Sequence, residues 1–306
     1  MTRSLVIGSR GSKLALWQSE HARTRLLELN PNLEIRIEVI KTTGDVKSDP
    51  LAAIGGKGVF TKELEDALLS ERIDLAVHSL KDLPTILPDR LNVSAICERE
   101  DPRDALVLRT NDRAIHSLKD LADQAVVGTS SPRRVAQLKS LRPDVVVKEL
   151  RGNVDTRVRK LDEGHYDALI LASAGLVRLG LHHRISLRIA IDEMLPAVGQ
   201  GAIAIETRSD DDFTINVVHK LNHAETQAAC QAERSLLRNL GGGCQLPIAA
   251  HAVIAGTQLQ LDGLVAKPDG SELIRDGVTG ATVNSESLGL ELATKLLERG
   301  ASSLLA

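Results

Sequence analysis

Three consecutive glycines followed by a cysteine are the first residues in this chain that could carry chemistry. They lie in Leu240-Gly241-Gly242-Gly243-Cys244-Gln245-Leu246-Pro247. Because glycine has no Cβ, this backbone can reach positive φ and approach another group closely, and Pro247 prevents a helix from continuing. The stretch predicts either a loop that presents one reactive thiol or a helix C-cap followed by a small, buried apolar cysteine.

Arginines at the start of a predicted helix form the second candidate group. In Ser130-Ser131-Pro132-Arg133-Arg134 the serine is a favoured N-cap and the proline is favoured at the first helical position. Two guanidinium groups in a first turn oppose the helix dipole. The pattern therefore predicts that an anion offsets Arg133 and Arg134, and the alternative is two solvated surface arginines.

Further arginines fall near the predicted ends of strands. Each alone is typical of an ordinary surface, but together they favour a ligand with many carboxylates or phosphates, which arginine binds in bidentate fashion. Arg178 is predicted to follow a turn of small residues, Ala172-Ser173-Ala174-Gly175. These arginines are Arg10, which shares a predicted loop with Ser12, and Arg151, Arg157 and Arg178.

A carboxylate is the third candidate. Ser79-Leu80-Lys81-Asp82 follows an apolar predicted strand at residues 74–78, and α/β proteins place catalytic groups where strands end. Asp82 could stabilise a developing cation or move protons. The alternatives are an N-cap or a surface ion pair with Lys81.

Composition excludes several classes of function. The 306 residues are 42% hydrophobic and 26% charged, which is typical of a globular protein with two or three domains. A net charge of −3 and only four aromatic residues argue against a nucleic-acid or anionic-membrane partner. Three widely spaced cysteines suit a reducing cytosol rather than disulfides, so a cytoplasmic protein is expected. No apolar run reaches the roughly 18 residues of a membrane-spanning helix.

Metal binding is not predicted. His219 and His223 have i, i+4 spacing on a possible helix, but the sequence offers no evident third ligand.

The elements that would position these residues alternate between strand and helix, which predicts two α/β lobes with mainly parallel sheets. The two lobes echo each other weakly, since Val6-Ile7-Gly8-Ser9 matches Val126-Val127-Gly128-Thr129 in residue type. If the lobes face each other, their strand-end loops would meet at one cleft. The predicted strands are at 4–8, 35–40, 74–78, 125–128, 145–149 and 167–172, and the predicted helices at 13–29, 63–70, from 135 and at 155–163.

The last third of the chain predicts a small α+β domain. Residues 195–201 would cross back to the first lobe and lead into a strand at 202–206. A helix is predicted from Asn222 as N-cap to about residue 239, with antiparallel strands at 248–254, around 259–261 and at 273–278, and a closing helix at 285–299. The predicted domains are 1–100 with 198–219, then 101–197, then 220–306.

Six long motifs occur in one order along the chain. They are Gly55-Gly56-Lys57-Gly58, His78-Ser79-Leu80-Lys81-Asp82-Leu83-Pro84, Gly128-Thr129-Ser130-Ser131-Pro132-Arg133-Arg134, Arg151-Gly152-Asn153-Val154-Asp155-Thr156-Arg157, Leu195-Pro196-Ala197-Val198-Gly199-Gln200-Gly201 and Gly242-Gly243-Cys244-Gln245. Together they resemble the porphobilinogen deaminase family over nearly the whole chain.

The resemblance implies a fold and an activity. The fold would be two lobes like periplasmic binding proteins and a C-terminal α+β domain. The activity would be the stepwise condensation of four porphobilinogen molecules, with loss of ammonia, and hydrolytic release of hydroxymethylbilane. A dipyrromethane cofactor, joined by a thioether to Cys244, would act as the primer. The enzyme is expected to be a monomer with a small-molecule substrate and no metal.

The resemblance also implies residue roles. Asp82 would be catalytic, stabilising the azafulvenium cation and handling pyrrole N–H protons. The cofactor-binding residues would be Ser79, Lys81, Asp82, Thr129, Ser131, Arg133, Arg134 and Arg157. The substrate-binding residues would be Arg10, Ser12, Gln18, Arg151, Arg157, Arg178 and Gln200. Lys57 and Phe60 would belong to an active-site flap, in which Ala53 replaces a lysine of some relatives.

A non-catalytic protein that binds a polycarboxylate is the alternative interpretation. It explains the arginines, but it leaves Cys244 and Asp82 without a role. A covalent adduct of two pyrrole units in the intact mass distinguishes the enzyme from the binding protein.

Overall fold

The computed structural model describes residues 4–42, 61–110, 114–243 and 245–305. The chain forms two compact units. The first comprises Met1–Arg99 and Ala202–Gln227, and the second comprises Glu100–Gly201 and Ala228–Ala306. The domain boundaries expected from the sequence stay a prediction.

Strands and helices alternate along most of the chain. The strands are β1 (Ser4–Ser9), β2 (Glu34–Val39), β3 (Leu75–Ser79), β4 (Leu91–Ile96), β5 (Asp104–Leu108), β6 (Val126–Gly128), β7 (Val146–Lys148), β8 (Ala168–Ala172), β9 (Leu187–Arg188), β10 (Ile203–Arg208), β11 (Ile248–Ala255), β12 (Gln258–Ala266) and β13 (Leu273–Ala281). The α-helices are α1 (Lys13–Leu29), α2 (Lys62–Leu69), α3 (Pro132–Leu141), α4 (Val154–Asp162), α5 (Ser173–Arg178), α6 (Asp212–His219), α7 (Ala224–Asn239), α8 (Ser285–Glu298) and α9 (Ala301–Leu304).

The first unit is built on a mixed sheet in the order β2-β1-β3-β10-β4. β1 pairs in parallel with β2 and β3, whereas β10 runs antiparallel to both β3 and β4. Among the described strands, four of the five therefore point the same way, and the prediction of a mainly parallel sheet is confirmed.

The second unit contains a sheet of the same design, in the order β7-β6-β8-β5-β9. Here β6 pairs in parallel with β7 and β8, and β5 runs antiparallel to β8 and β9. The fourth strand opposes its neighbours in both sheets.

The similarity between residues 6–9 and 126–129 is explained by packing at one glycine in each segment. Gly8 and Gly128 occupy matching strands, β1 and β6. A Cβ on Gly8 would come within 2.2 Å of the Ile73 side chain, and one on Gly128 within 2.6 Å of the Leu169 side chain. Both strands therefore need a residue without a side chain at this point.

A separate antiparallel sheet, β11-β12-β13, follows in the second unit, as predicted. Its apolar face packs with α7 and α8 around buried residues such as Leu236, Leu261 and Leu292. A smaller apolar cluster, including Ala136 of α3 and Leu264 of β12, joins this sheet to the lobe that precedes it. This contact places the C-terminal sheet in the same compact unit as that lobe.

The glycine stretch ends α7 as a helix C-cap. Gly241 has φ of 67°, its N–H donates to the carbonyl of Arg238, and the N–H of Gly242 donates to the carbonyl of Leu237. This pair of hydrogen bonds is the Schellman motif. The glycines therefore do form a helix C-cap, while Cys244, whose burial distinguishes the two alternatives, lies outside the described residues.

Two local predictions around α7 are wrong. His223, not Asn222, caps the helix, because the Thr226 N–H donates to Nδ1 of His223 at 3.3 Å. Asn222 instead accepts from the Ile96 N–H at 2.9 Å, a contact 126 residues away in sequence. His219 ends α6 and His223 precedes α7, so the two histidines do not share a helix.

The turn of small residues predicted at 172–175 is also wrong. Ser173, Ala174 and Gly175 are the first residues of α5, and Arg178 is its last.

In the described ranges no helix is long and apolar enough to cross a membrane.

Candidate active site

Asp82 lies at the end of a short 3-10 turn, Leu80–Asp82, that directly follows β3. Its side chain is exposed and makes no hydrogen bond or ion pair with the described residues. It lines a cavity of about 60 Å³, together with Arg10, Ser12, Gln18 and His78. Neither of the two structural alternatives, an N-cap or an ion pair with Lys81, fits this carboxylate.

Two hydrogen bonds fix the walls of this cavity. Nε2 of Gln18, on the buried face of α1, donates to Oγ of Ser79 at 2.9 Å and so ties the helix to the end of β3. Oγ of Ser12 accepts from the Ala15 N–H at 3.3 Å and caps α1. Arg10 is half-buried in the loop between β1 and α1, as expected. The structure thus brings together Arg10, Ser12, Gln18, Ser79 and Asp82.

A buried polar pair lies in the wall of the same cavity. Nε2 of His78 and Oε2 of Glu206 are 2.9 Å apart, and the two residues are 5% and 0% exposed. Glu65 of α2 is buried beside them.

In the second unit, Arg133 and Arg134 are buried rather than solvated. Arg133 donates to Oδ2 of Asp104 at 2.6 Å and to the carbonyl of Leu195 at 2.7 Å. Arg134 donates to Oδ1 of Asp104 at 2.8 Å and to the carbonyl of Ile170 at 3.0 Å. The surface alternative is therefore wrong, and one anion that offsets the two arginines is Asp104 of the chain itself.

This cluster retains an excess of positive charge, because two guanidinium groups share one carboxylate. Nε of Arg133 has no hydrogen-bond partner among the described residues. Burial by itself raises the pKa of the Asp104 carboxyl, but the charges of Arg133 and Arg134 outweigh it and hold that pKa well below its usual range. Asp104 therefore stays ionised at any physiological pH.

Gln200 belongs to this cluster too. Its Nε2 donates to Oδ1 of Asp104 at 2.8 Å and to the carbonyl of Pro102 at 2.7 Å, and the residue is buried. The segment before β10 is thereby joined to the start of β5.

We expect Asp104→Asn to lower the free energy of unfolding by about 3–5 kcal/mol at pH 7, because it leaves two buried guanidinium groups without a counter-charge. The pKa of Asp104 in the folded protein is depressed. Its ionised carboxylate therefore stabilises the fold fully above the unfolded-state pKa, and this stabilisation is lost as pH falls. The difference in the free energy of unfolding between wild type and variant should therefore narrow by about 1.4 kcal/mol per pH unit below about pH 3.9. Urea denaturation at several pH values measures it.

Glu163→Gln is the matched control. Glu163 directly follows α4 and pairs with Arg159, one helical turn earlier, and the two side chains are 42% and 64% exposed. We expect a change within about 0.5 kcal/mol, since exposed pairs contribute little. If both variants lost the same free energy of unfolding, burial of the Asp104 ion pairs would not be the cause of the larger effect expected there.

The start of α3 offers further donors. Ser131 is the N-cap residue and Pro132 the first helical residue, which confirms the predicted helix start, but the Ser131 hydroxyl makes no capping hydrogen bond. The first-turn N–H groups therefore lack a side-chain cap. Thr129 is buried just before them, and its Oγ1 accepts from the Ser131 N–H at 3.4 Å.

The remaining predicted arginines of the second unit are held by local carbonyls and carboxylates. Arg151 pairs with Glu149 at 2.5 Å, Nε of Arg157 donates to the carbonyl of Gly152 at 2.7 Å, and Arg178 donates to that of Gly201 at 2.6 Å. Arg157 lies within α4. Lys81 is half-buried in the turn that carries Asp82. Three other predicted residues, Lys57, Phe60 and Cys244, lie outside the described residues, as does Ala53.

Sequence reasoning missed Asp104, Glu206 and Glu65. Asp104 is the first residue of the otherwise apolar β5, and Glu206 follows three apolar residues in β10. A carboxylate next to such an apolar run is the signal that could have marked them. His78 was noted only as part of a motif, although it interrupts the apolar β3 in the same way.

Comparison with known protein families gives matches across most of the chain. The model described as porphobilinogen deaminase, dipyromethane cofactor binding domain, matches residues 5–216. The model described as porphobilinogen deaminase, C-terminal domain, matches residues 227–298.

Full-length relatives carry the same family name. The porphobilinogen deaminase of Chlorobium phaeovibrioides is 48% identical over 311 aligned residues, covering 100% of this chain and 98% of that protein. The porphobilinogen deaminase of Chlorobium luteolum is 49% identical with the same coverage. Among solved structures, the VFT2 domain of Bordetella pertussis BvgS is similar with a TM-score of 0.43 and 17% identity, over 71% of this chain and 86% of that domain.

Proposed function

The chain belongs to the porphobilinogen deaminase family, and we propose that its reaction is centred on Asp82. The enzyme acts in tetrapyrrole biosynthesis. It condenses four porphobilinogen molecules head to tail, releases ammonia and hydrolyses off the linear product, hydroxymethylbilane. The observation that carries the proposal is the exposed Asp82 carboxylate, which no described residue pairs, in a cavity with Arg10 and Gln18.

Asp82 acts through its charge. Loss of ammonia from porphobilinogen leaves a cation delocalised over the pyrrole ring and its nitrogen. A carboxylate on the turn after β3 stabilises this cation more than it stabilises the neutral ring, and so lowers the barrier. Its oxygens can also accept the pyrrole N–H. No described residue forms an ion pair or hydrogen bond with Asp82, so none of them neutralises its charge.

The second unit has features that suit the carboxylates of the dipyrromethane cofactor. The Arg133–Arg134–Asp104 cluster carries a surplus positive charge, and the first turn of α3 has uncapped N–H groups beside the Ser131 hydroxyl. We assign Thr129, Ser131, Arg133, Arg134 and Arg157 to binding the cofactor's acidic side chains. When bound through Cys244, the cofactor supplies the pyrrole from which the product grows.

Asp104 and Gln200 act through the arginines. Asp104 holds both guanidinium groups at the start of α3, and Gln200 donates to the same carboxylate. We therefore propose that Gln200 positions this cluster rather than binding substrate through a free side chain.

The other polar residues hold the ring's acetate and propionate arms. We assign the substrate arms to Arg10, Ser12, Gln18, Arg151, Arg157 and Arg178, and cofactor contacts in the first unit to Ser79, Lys81 and Asp82. Lys57 and Phe60 are proposed to belong to a flap over the reacting groups.

The domain boundaries, the oligomeric state and the cellular location are also proposals. We expect three domains, 1–100 with 198–219, 101–197 and 220–306, in a monomer. We place the enzyme in the reducing cytoplasm, since Cys97 and Cys230 form no disulfide in the described part of the chain and Cys244 must be reduced to bind the cofactor.

Intact-mass spectrometry of the purified protein tests the proposal. We expect the polypeptide mass plus two pyrrole units, and peptide mapping should place the adduct on Cys244. The bare mass, together with polycarboxylate binding and no turnover after incubation with porphobilinogen, would contradict it.

A further inference from the structure

A buried imidazole–carboxylate pair adjoins Asp82 and has no role in the chemistry described so far. His78 lies on β3 opposite Ala204 of β10, and Glu206 lies two residues further along β10, on the same face of the sheet. The side chains are therefore diagonal neighbours, and Nε2 of His78 lies 2.9 Å from Oε2 of Glu206.

The pair determines which ring nitrogen is available. With the Glu206 carboxyl oxygen as the acceptor, His78 donates through Nε2–H, and this leaves the lone pair on Nδ1. The Nδ1 atom makes no hydrogen bond to the described residues. The arrangement is that of a histidine base oriented by a carboxylate.

Glu65 of α2 is a further buried carboxyl group beside the pair. Burial raises the pKa of Glu65, and the neighbouring Glu206 charge adds to this effect, while the proximity of Thr61 and His78 opposes it. Glu65 is therefore a second buried carboxyl group beside His78.

His78 is buried, yet it lines the same cavity as Asp82. Among the described residues, the titratable groups that face it are Glu206 from β10, Glu65 from α2, Asp82 from the turn after β3 and Arg10 from the loop after β1. A ring that presents its nitrogen to Asp82 would therefore lie beside His78.

We propose that Nδ1 of His78 is the base that removes the proton from the pyrrole carbon at which each new carbon–carbon bond forms. As the bond forms, the C–H bond breaks, its electron pair restores the aromatic ring, and the proton goes to Nδ1. The substrate's ammonium group departs as ammonia with the electrons of the C–N bond. The imidazolium then returns its proton to water. Each condensation therefore releases one ammonia and one proton, and no further reactant is needed.

This assignment separates two tasks that one carboxylate performs poorly. Asp82 stabilises a cation only while it is charged, and it would lose that charge by accepting the carbon-bound proton. A second group with its own lone pair allows Asp82 to remain an anion throughout. The inference rests on the proposed role of Asp82, which places the reacting ring in this cavity.

An isotope experiment on the cofactor-loaded enzyme tests the base. Gln keeps an amide N–H for Glu206 but removes Nδ1, so His78→Gln should fold and lose about 10²-fold or more in kcat, with KM within about threefold of wild type. With porphobilinogen deuterated at its free α carbon, the primary isotope effect on kcat should be larger in His78→Gln than in wild type, because proton removal becomes slower. Asp82→Asn, which slows formation of the cation, should show no such increase.

His219→Gln is the matched control, since His219 is exposed at the end of α6 in the same unit. It should leave kcat and the isotope effect unchanged. An unchanged isotope effect in His78→Gln, or full activity, overturns the assignment of the base. Full activity in Asp82→Asn overturns the proposed site instead.

Nitrogen-15 NMR of the imidazole provides a second test that does not depend on turnover. At about pH 8, above the usual titration range of histidine, we expect wild-type His78 to carry its proton on Nε2 and a bare Nδ1. In Glu206→Gln this preference should weaken, and kcat should fall by about 10-fold or more, because the ring loses the carboxylate that fixes its tautomer and orientation. A proton on Nδ1 in the wild-type enzyme overturns the inference.

Discussion

Cys244→Ser is expected to give a folded protein that carries no dipyrromethane and makes no hydroxymethylbilane. Forming the thioether requires a thiolate, and a serine hydroxyl is protonated at neutral pH and far less nucleophilic. Without its primer the enzyme cannot begin a chain, so the loss of turnover should be complete. Intact mass and product release from the same preparation measure both effects.

Cys97→Ala and Cys230→Ala are the controls, because both thiols are buried and packed in apolar surroundings. They should leave the two-pyrrole adduct in place, since neither buried sulfur is available to a ligand. A normal adduct in Cys244→Ser would reassign the attachment, and loss of the adduct in either control would show that fold stability limits cofactor assembly.

Asp82→Asn is expected to keep the fold and its polypyrrole ligand and to lose about 10²–10³ in kcat, the usual effect of removing one oriented electrostatic group. Asn preserves the shape but removes the charge. Asp82→Glu keeps the charge and moves it by one methylene, so it should retain more activity than Asn. Steady-state release of hydroxymethylbilane, from protein supplied with pre-assembled primer, separates this effect from defects in assembly.

Asp89→Asn is the matched control, since Asp89 is another exposed aspartate in the segment that follows the turn. It should turn over at the wild-type rate. If Asp82→Asn also remained within about threefold of wild type, Asp82 would have no electrostatic role in the reaction.

Local signals in the sequence were sufficient where an element depends on its own residues. Helix α1 runs over Lys13–Leu29 as predicted, because Ser12 caps it and small or apolar residues recur on its buried side. The start of α3 at Pro132 and the C-cap at Gly241 followed in the same way from proline and glycine backbone preferences. The family motifs identified the activity and drew attention to Asp82 and Cys244.

Predictions failed where a distant residue competes for a polar group. Asn222 is a residue type favoured at N-caps, but its side-chain oxygen accepts a hydrogen bond from the Ile96 N–H. His223 caps the helix instead. At 172–175, small residues suggested a turn, yet Ala172 ends β8, and Ser173, Ala174 and Gly175 begin α5, which packs against β8.

The sequence by itself determined the family, the reaction and the local elements that carry the motif residues. The tertiary structure alone decided which charges meet. Arg133 and Arg134 reach Asp104 across about thirty residues, and His78 reaches Glu206 across 128. Both contacts arise because a strand from elsewhere in the chain enters each sheet antiparallel to its neighbours, β5 in one and β10 in the other. Composition and periodicity specify a strand's two faces but not its neighbours, so these buried pairs become visible only when the strand order is known.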